Sequence, residues 1–419
     1  MRILKALVML VPIVAGPRLA EAQYPSDTLA LADAIGIARA ANPALLAARL
    51  RADAAVERVS PAGALPDPQL SFGFRNWPTD FDTDQGMTMN SIQLMQRFPW
   101  PGKLKFGRER MRHLAVAGRL ETQETEVVLV AGVKSVYYQV AYVDRALRIM
   151  EETRELLRDF YQVSSAMYGV GRGLQQDVLQ AQVAIATMTE DITVMEQGRV
   201  AMVARLNALL GRAPTVPVGA LELPVLTGVL PTQDLLMSLA AESRPALRAA
   251  RERARAAAAG YRAARRTLYP DLTVTLGYGQ RPQFENLVTL MFGISVPLWA
   301  GSRQLPLRRE MAAMQAMEEA KELDLYNETF ARIAELTAEA DRARSLSMLY
   351  ATAVLPQARA AVESALSAYR VGEVDYMTLV QNEMTVNRYE IESVRLTAEY
   401  HRAVAQIEAL IGGQIGEVQ

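Results

Sequence analysis

His113 and His401 are the two histidines of this 419-residue chain, and neither has a glutamate three residues before it. The Glu-x-x-His pair that holds a di-iron centre inside a helical bundle is therefore missing. No His-Glu-x-x-His, Gly-x-Ser-x-Gly or Gly-x-x-x-x-Gly-Lys-Ser/Thr string occurs, which removes zinc-protease, serine-hydrolase and P-loop chemistry. There is no cysteine. Disulfides, thiolate metal sites, cysteine nucleophiles and a lipid anchor on an N-terminal cysteine go with it. Gly169-Val170-Gly171-Arg172-Gly173 is glycine-rich, but it follows a helical pattern rather than a strand, unlike a phosphate loop. The 19 methionines sit mostly singly at apolar helical positions, where filling a core is the better reading than binding a soft metal. The arginines between Arg248 and Arg266 wrap around an alanine-rich helix. A solvated face is the first reading there, and contact with phospholipid headgroups the second. A net charge of −1 leaves no footprint for nucleic acid. These residues point to no enzyme, no cofactor and no metal site.

The elements that would carry such residues are more informative. From Lys103 to Tyr168 the chain runs without a proline. Leu129, Val133, Val136, Val140, Val143, Leu147, Met150, Leu157 and Tyr161 recur at heptad spacing, interrupted at Arg154. This predicts a helix packed lengthwise against neighbours, roughly 100 Å long at the usual rise. Before it, residues 28–60 alternate at helical spacing with a break at Asn42-Pro43. Two strand patterns follow within a hairpin at 69–98: Leu70, Phe72 and Phe74 alternate with Ser71, Gly73 and Arg75 in the first, and the second alternates less cleanly. A shorter helix is predicted at 174–210.

The chain then repeats itself. Asn42-Pro43-Ala44-Leu45 returns as Arg244-Pro245-Ala246-Leu247, Tyr168-Gly169-Val170-Gly171 as Tyr369-Arg370-Val371-Gly372, and Leu206-Asn207-Ala208-Leu209-Leu210-Gly211 as Ile407-Glu408-Ala409-Leu410-Ile411-Gly412. The last two pairs are each offset by 201 residues. The chain therefore divides into a signal peptide at 1–22, a first repeat at 23–211, a proline-rich linker at 212–231, a second repeat at 232–412 and a tail at 413–419. The second repeat has its hairpin at 271–298, its long helix at 303–367 with a kink predicted at Pro356, and its half helix at 375–411. The signal peptide rests on Arg2 and Lys5, an apolar core and Ala20-Glu21-Ala22.

Each repeat is half helix, hairpin, long helix, tight turn, half helix. Stacking the half helices end to end along the long one puts both hairpins at one end of a rod and both turns at the other. Strands of this length, apolar on one face and lined by Gly, Ser and Thr on the other, match a membrane β-barrel. The smallest such barrels have about eight strands, and open edges are not tolerated in lipid. Several chains must therefore share one barrel.

The duplication, Pro99-Trp100-Pro101-Gly102-Lys103 after the second strand, and the paired turn motifs resemble the outer-membrane efflux proteins, the TolC-like exit ducts of Gram-negative tripartite pumps. The resemblance spans nearly the whole chain after the signal peptide. It implies a mainly α fold with a small β part: long antiparallel coiled-coil helices forming an α-barrel, and four strands per chain contributed to a trimeric 12-stranded barrel in the outer membrane. It also implies a homotrimer that meets outer-membrane lipid, docks a periplasmic adaptor (a membrane fusion protein) and serves an inner-membrane pump indirectly. The Pro-Trp-Pro-Gly-Lys form is similar to that of heavy-metal-pump members. Type I protein secretion uses the same architecture, and a periplasmic helical scaffold is the reading outside lipid.

On this resemblance Val170, Gly171, Gly173, Leu174, Val371 and Gly372 are the adaptor-docking tips, and Tyr168, Asp177, Tyr369 and Asp375 are gate candidates. The second tip departs from the pattern, with Thr378 at the position matching Asp177 and Gln381 at a further site often acidic. Asp375 and Glu383 are then the acids left to form a ring at the entrance. Independently of any family, a glycine at 171 and at 372 supplies the positive φ that reversing a long helix demands.

Overall fold

The computed structural model describes residues 29–76, 88–226, 228–281 and 284–415. The predicted signal peptide, the turn joining the first two strands and residues 416–419 lie outside the described residues. The elements are α1 (Leu31–Ala41), α2 (Pro43–Glu57), α3 (Val59–Ala62), β1 (Gln69–Arg75), β2 (Met89–Phe98), α4 (Lys103–Gly169) and α5 (Gln175–Leu209) in the first repeat. The second has α6 (Gln233–Ser243), α7 (Pro245–Arg266), β3 (Asp271–Gln280), β4 (Leu287–Ser295), α8 (Gln304–Leu349), a π-helical stretch (Tyr350–Val354), α9 (Leu355–Val371) and α10 (Tyr376–Ile411). The fold is mainly helical, with the two repeats the sequence shows.

Proline and asparagine set the breaks. Asn42 is extended (φ −69°, ψ 120°), and its side chain accepts from the backbone N–H of Ala44 and Leu45, capping α2 with Pro43 at its first position. Arg244 has nearly the same backbone (φ −58°, ψ 118°) before Pro245. The predicted first half helix is therefore two helices, and only α2 and α7 run on toward the strands beside α4. In the second long helix Pro356 produces a π turn rather than a simple kink. The N–H of Leu355 reaches back to the carbonyl of Tyr350, one residue farther than in an α-helix, and Pro356 then sits at the start of α9.

The heptad seam is buried. Val133 and Val140 are fully enclosed with α1, α5 and the chain after α5, while Leu157 closes with Met188, Tyr376 and Leu379 nearer the turns. A third cluster joins α6, α8 and α10 around Leu236, Ile333 and Leu396. Arg154 interrupts the seam with an Nε that finds no partner among the described residues.

The same junction is built twice at the middle of the rod. Asn42 Nδ2 donates to the carbonyl of Leu209 at 2.9 Å, and Ser243 Oγ to that of Ile411 at 2.6 Å. Gly211 and Gly412, at φ +68° and +71°, end the returning helices against these corners. A Cβ on Gly211 would lie 2.6 Å from the carbonyl oxygen of Ala41, and one on Gly412 would lie 3.0 Å from that of Ser243. The repeated Leu-Leu-Gly and Leu-Ile-Gly endings are thus the seats on which two helix ends meet.

The segment that composition marks as a linker is strapped down. Asp144, 7% exposed, accepts from Arg199 Nε at 2.5 Å and from the N–H of Leu221 at 2.8 Å, while Arg199 Nη2 donates to the carbonyls of Val218 and Gly219. His401 holds the carbonyl of Pro224 at 3.0 Å. Asp144→Ala strands the N–H of Leu221 and frees Arg199. It is expected to cost about 2–3 kcal/mol, read as a lowered thermal midpoint, whereas Arg205→Ala, on an exposed face of α5, should leave the midpoint unchanged.

All four strands form one antiparallel sheet in the order β1-β2-β3-β4, with β2 paired to β3 across the repeats. The register aligns Leu70 with Leu94, Leu94 with Leu276 and Leu276 with Leu290, and Phe72 with Ile92, Ile92 with Tyr278 and Tyr278 with Val288. One face is therefore apolar across the sheet. Phe72, Val288 and Phe292 are 74%, 73% and 67% exposed on it. The opposite face carries Ser71, Gln93, Thr275 and Thr289. Among the described residues no helix covers the apolar face, and β1 and β4 are open edges. Among the described residues no helix is long and apolar enough to cross a membrane.

Candidate docking tips and gate

The far ends of the two repeats close by the same device. Gly171 and Gly372 have φ +73° and +82°. The N–H of Gly171 bonds the carbonyl of Tyr168 and that of Arg172 the carbonyl of Met167; Gly372 and Glu373 repeat this on Tyr369 and Ala368. The double bond back into the last turn satisfies carbonyls that the helix end leaves free. A Cβ on Gly171 or Gly372 would meet nothing within 4 Å. Gly173 differs, since a Cβ there would lie 2.9 Å from the backbone nitrogen of Tyr168, so its smallness serves the turn itself. Val170, Leu174 and Val371 stand 71%, 66% and 71% exposed at these ends. Each tip thus presents apolar side chains beside bare backbone.

The four gate candidates separate. Tyr168 is 49% exposed, whereas its repeat-mate Tyr369 is 4% exposed. Tyr369 packs edge-on to Tyr376, with ring centroids 5.7 Å apart, and Tyr376 is fully buried. Neither phenol oxygen closes a well-aligned hydrogen bond among the described residues. Asp177, in the first turn of α5, faces this pair from the other repeat. Burial, and then the Asp177 carboxylate, push the Tyr369 phenol up to about 12. Burial, Tyr369 and Asp177 raise Tyr376 in the same direction. Both stay protonated donors throughout the physiological range. Asp375 is engaged locally: it accepts from the N–H of Thr378 at 2.8 Å and from its hydroxyl at 2.6 Å, capping α10. Those two bonds hold its carboxyl below the usual range.

Glu383, the other acid considered for the entrance, is enclosed. It is 5% exposed on α10, and burial followed by the nearby Glu390 raises its pKa. A raised folded-state value means that the proton-linked stability is complete below the ordinary 4.5 and lost as pH rises through the folded-state value. Glu383→Gln keeps a neutral group at all pH. Its thermal midpoint should exceed that of the wild type at pH 7, and the gap should close below pH 4.5.

Sequence reasoning missed Tyr376, whose counterpart in the first repeat is Gln175. The change from amide to ring between copies was the available signal. It also missed an open groove of about 620 Å³ between α5 and α10, lined by Leu179, Val183, Met377, Val380 and Met384 and adjoining both tips. Leu179 and Val183 are 53% and 65% exposed. Apolar grooves are among the surfaces on which proteins take up amphipathic helices.

Residues 34–212 and 236–413 match the profile of the family described as outer membrane efflux protein. The pyoverdine export outer membrane protein OpmQ of Pseudomonas putida is 23% identical over 412 residues, covering 90% of this chain and 85% of that one. In fold, the outer membrane protein VceC of Vibrio cholerae superposes with a TM-score of 0.79 at 18% identity, covering 92% of this chain and 96% of VceC. The open-state MtrE outer membrane channel of Neisseria gonorrhoeae gives 0.77 at 16% identity, covering 97% and 99%.

Proposed function

This chain belongs to the outer membrane efflux protein family, and from that premise we propose that it is the exit duct of a tripartite pump: a homotrimer whose tips dock a periplasmic adaptor. Its place is the outer membrane of a Gram-negative bacterium, and it works as a non-enzymatic channel for efflux. The observation that carries the duct is the uncovered sheet. One apolar face and two open edges at one end of the rod are stable in lipid only when sister sheets complete a ring. Energy for transport then comes from the inner-membrane partner, and this chain supplies a water-filled path.

The tips support adaptor docking because bare backbone at Gly171 and Gly372, exposed valines and the adjoining groove offer close approach to a second helical hairpin. Asp177 and Tyr369 support a latch between the two repeats. A protonated phenol and a carboxylate facing each other from the two repeats favour the second tip lying close to the first, and drawing the tips apart separates them. Tyr168, exposed on its own tip, belongs to the docking surface rather than the latch in this reading.

The test is conductance of the purified protein in a planar bilayer, with heat-resistant trimers extracted only by detergent. A detergent-free soluble monomer without conductance would end the duct reading. Within a conducting protein, Asp177→Ala is expected to raise open probability several-fold. An unchanged open probability would remove the latch and leave the duct standing. Cargo is to be sought by accumulation assays with drugs, metal ions and, following what OpmQ is named for, siderophores.

A further inference from the structure

Charge is unevenly placed along this rod. Residues 97–112, 262–271 and 303–310 hold twelve basic side chains and three acidic ones, whereas the whole chain is at −1. These segments are three of the four strand–helix junctions at one end of the sheet; the fourth, leading into β1, adds Arg58 with Glu57 and Asp67, so the excess still forms a collar under the strands. Two of the three acids in the first three junctions are already paired. Lys103 Nζ holds Asp271 at 2.6 Å, and Arg262 holds Glu109 at 2.8 Å. Lys105, Arg265 and Arg309 are exposed, one on each of α4, α7 and α8, and form no ion pair among the described residues. By helical rise they sit within about 10–15 Å of the strand ends.

Aromatic rings mark the same level. Trp100 and Tyr269 stack at 5.3 Å, the Arg266 guanidinium lies 5.7 Å from the Tyr269 ring, and Trp299 is 76% exposed. Amphipathic rings at the end of an apolar band mark a membrane–water boundary, and cations beside such a boundary attract anionic headgroups.

We infer that this collar binds anionic phospholipid headgroups of the periplasmic leaflet, seating the trimer at a fixed depth. The inference rests on the sheet lying in lipid, as proposed above, and names what the arginine-rich end of α7 is for. The apolar face supplies burial, the rings fix the boundary, and the free cations meet phosphate.

The experiment uses the full-length trimer in neutral detergent, titrated with phosphatidylglycerol or phosphatidylcholine and read by native mass spectrometry. The collar variant is Lys105→Gln, Arg265→Gln and Arg309→Gln together. The control removes equal charge from the middle of the rod, as Arg145→Gln, Arg148→Gln and Arg205→Gln. Wild type and control are expected to prefer phosphatidylglycerol by about tenfold, with the preference weakening as salt rises, and the collar variant is expected to lose it. Equal binding of the two lipids by wild type, or equal loss in the control, overturns the inference. So does a collar variant that keeps the lipid preference but changes ion selectivity, because its cations then face the lumen. Conductance in phosphatidylcholine bilayers separates the two levels. A conducting protein without lipid preference sinks only the collar, and one that never inserts sinks the duct with it.

Discussion

Gly171→Val and Gly372→Val are each expected to reduce export to the level of a strain lacking the protein, while heat-resistant trimers still form in normal amounts. Valine at φ +73° or +82° is strained, at a cost of about 1–3 kcal/mol. No neighbour stands within 4 Å of either new Cβ, so packing adds nothing to that cost. A large helical bundle tolerates a penalty of this size at a hairpin end, because the end frays before the buried seam does. The added branch does matter to anything that must lie against the bare backbone. Gly211→Val and Gly412→Val are the contrasting pair. They combine the same strain with Cβ positions 2.6 and 3.0 Å from carbonyl oxygens of neighbouring helix ends, so overpacking adds about 1–3 kcal/mol and trimer yield should fall. Measurement is cargo accumulation beside trimer yield from detergent extracts. Normal export by the tip variants would remove docking from these glycines, and lost trimers would make them folding residues instead.

The same comparison shows what was legible in the residue order. Glycines 171, 211, 372 and 412 could be found because a positive φ at a helix end strongly favours one residue type, and the duplication marked each twice. The heptad seam was legible because burial of one stripe must recur at helical spacing, and Val133, Val140 and Leu157 are fully enclosed. The alternation of β3 and β4 was equally plain. That of β2 became plain only from its register, which places Asn90 and Gln96 on the apolar face opposite Phe74 and Val274. Interactions between distant segments left no local mark. Nothing near Asp144 in sequence announces that it holds Leu221, 77 residues away. Nothing at Glu383 shows that it is buried rather than lining a path. The two tip tyrosines carry the same motif yet differ in exposure, because the second repeat supplies Tyr376 as a packing partner where the first has Gln175. A motif fixes backbone; its side chains answer to the surface that folds against them.

Leu276→Arg and Thr275→Arg, adjacent on β3, are expected to have opposite outcomes. Leu276 is paired with Leu94 and Leu290 at the centre of the apolar face and is 51% exposed. With the sheet in lipid as proposed, an arginine there meets hydrocarbon, at about 2–4 kcal/mol near the bilayer midplane. In the proposed trimer it recurs three times in one ring, for about 6–12 kcal/mol per trimer on that same estimate, comparable to the whole stability of an ordinary domain. Leu276→Arg should therefore leave chains in the periplasm, digested by added protease and absent from the heat-resistant trimer band. Thr275 lies on the opposite face between Met95 and Met291. An arginine there projects into water, so trimers should form in normal yield and conductance should shift toward anions. Strand propensity and charge change almost equally in the two variants, so only the side of the sheet separates them. Equal assembly of both would mean that the apolar face does not meet lipid, and the need for sister chains to close the sheet would disappear.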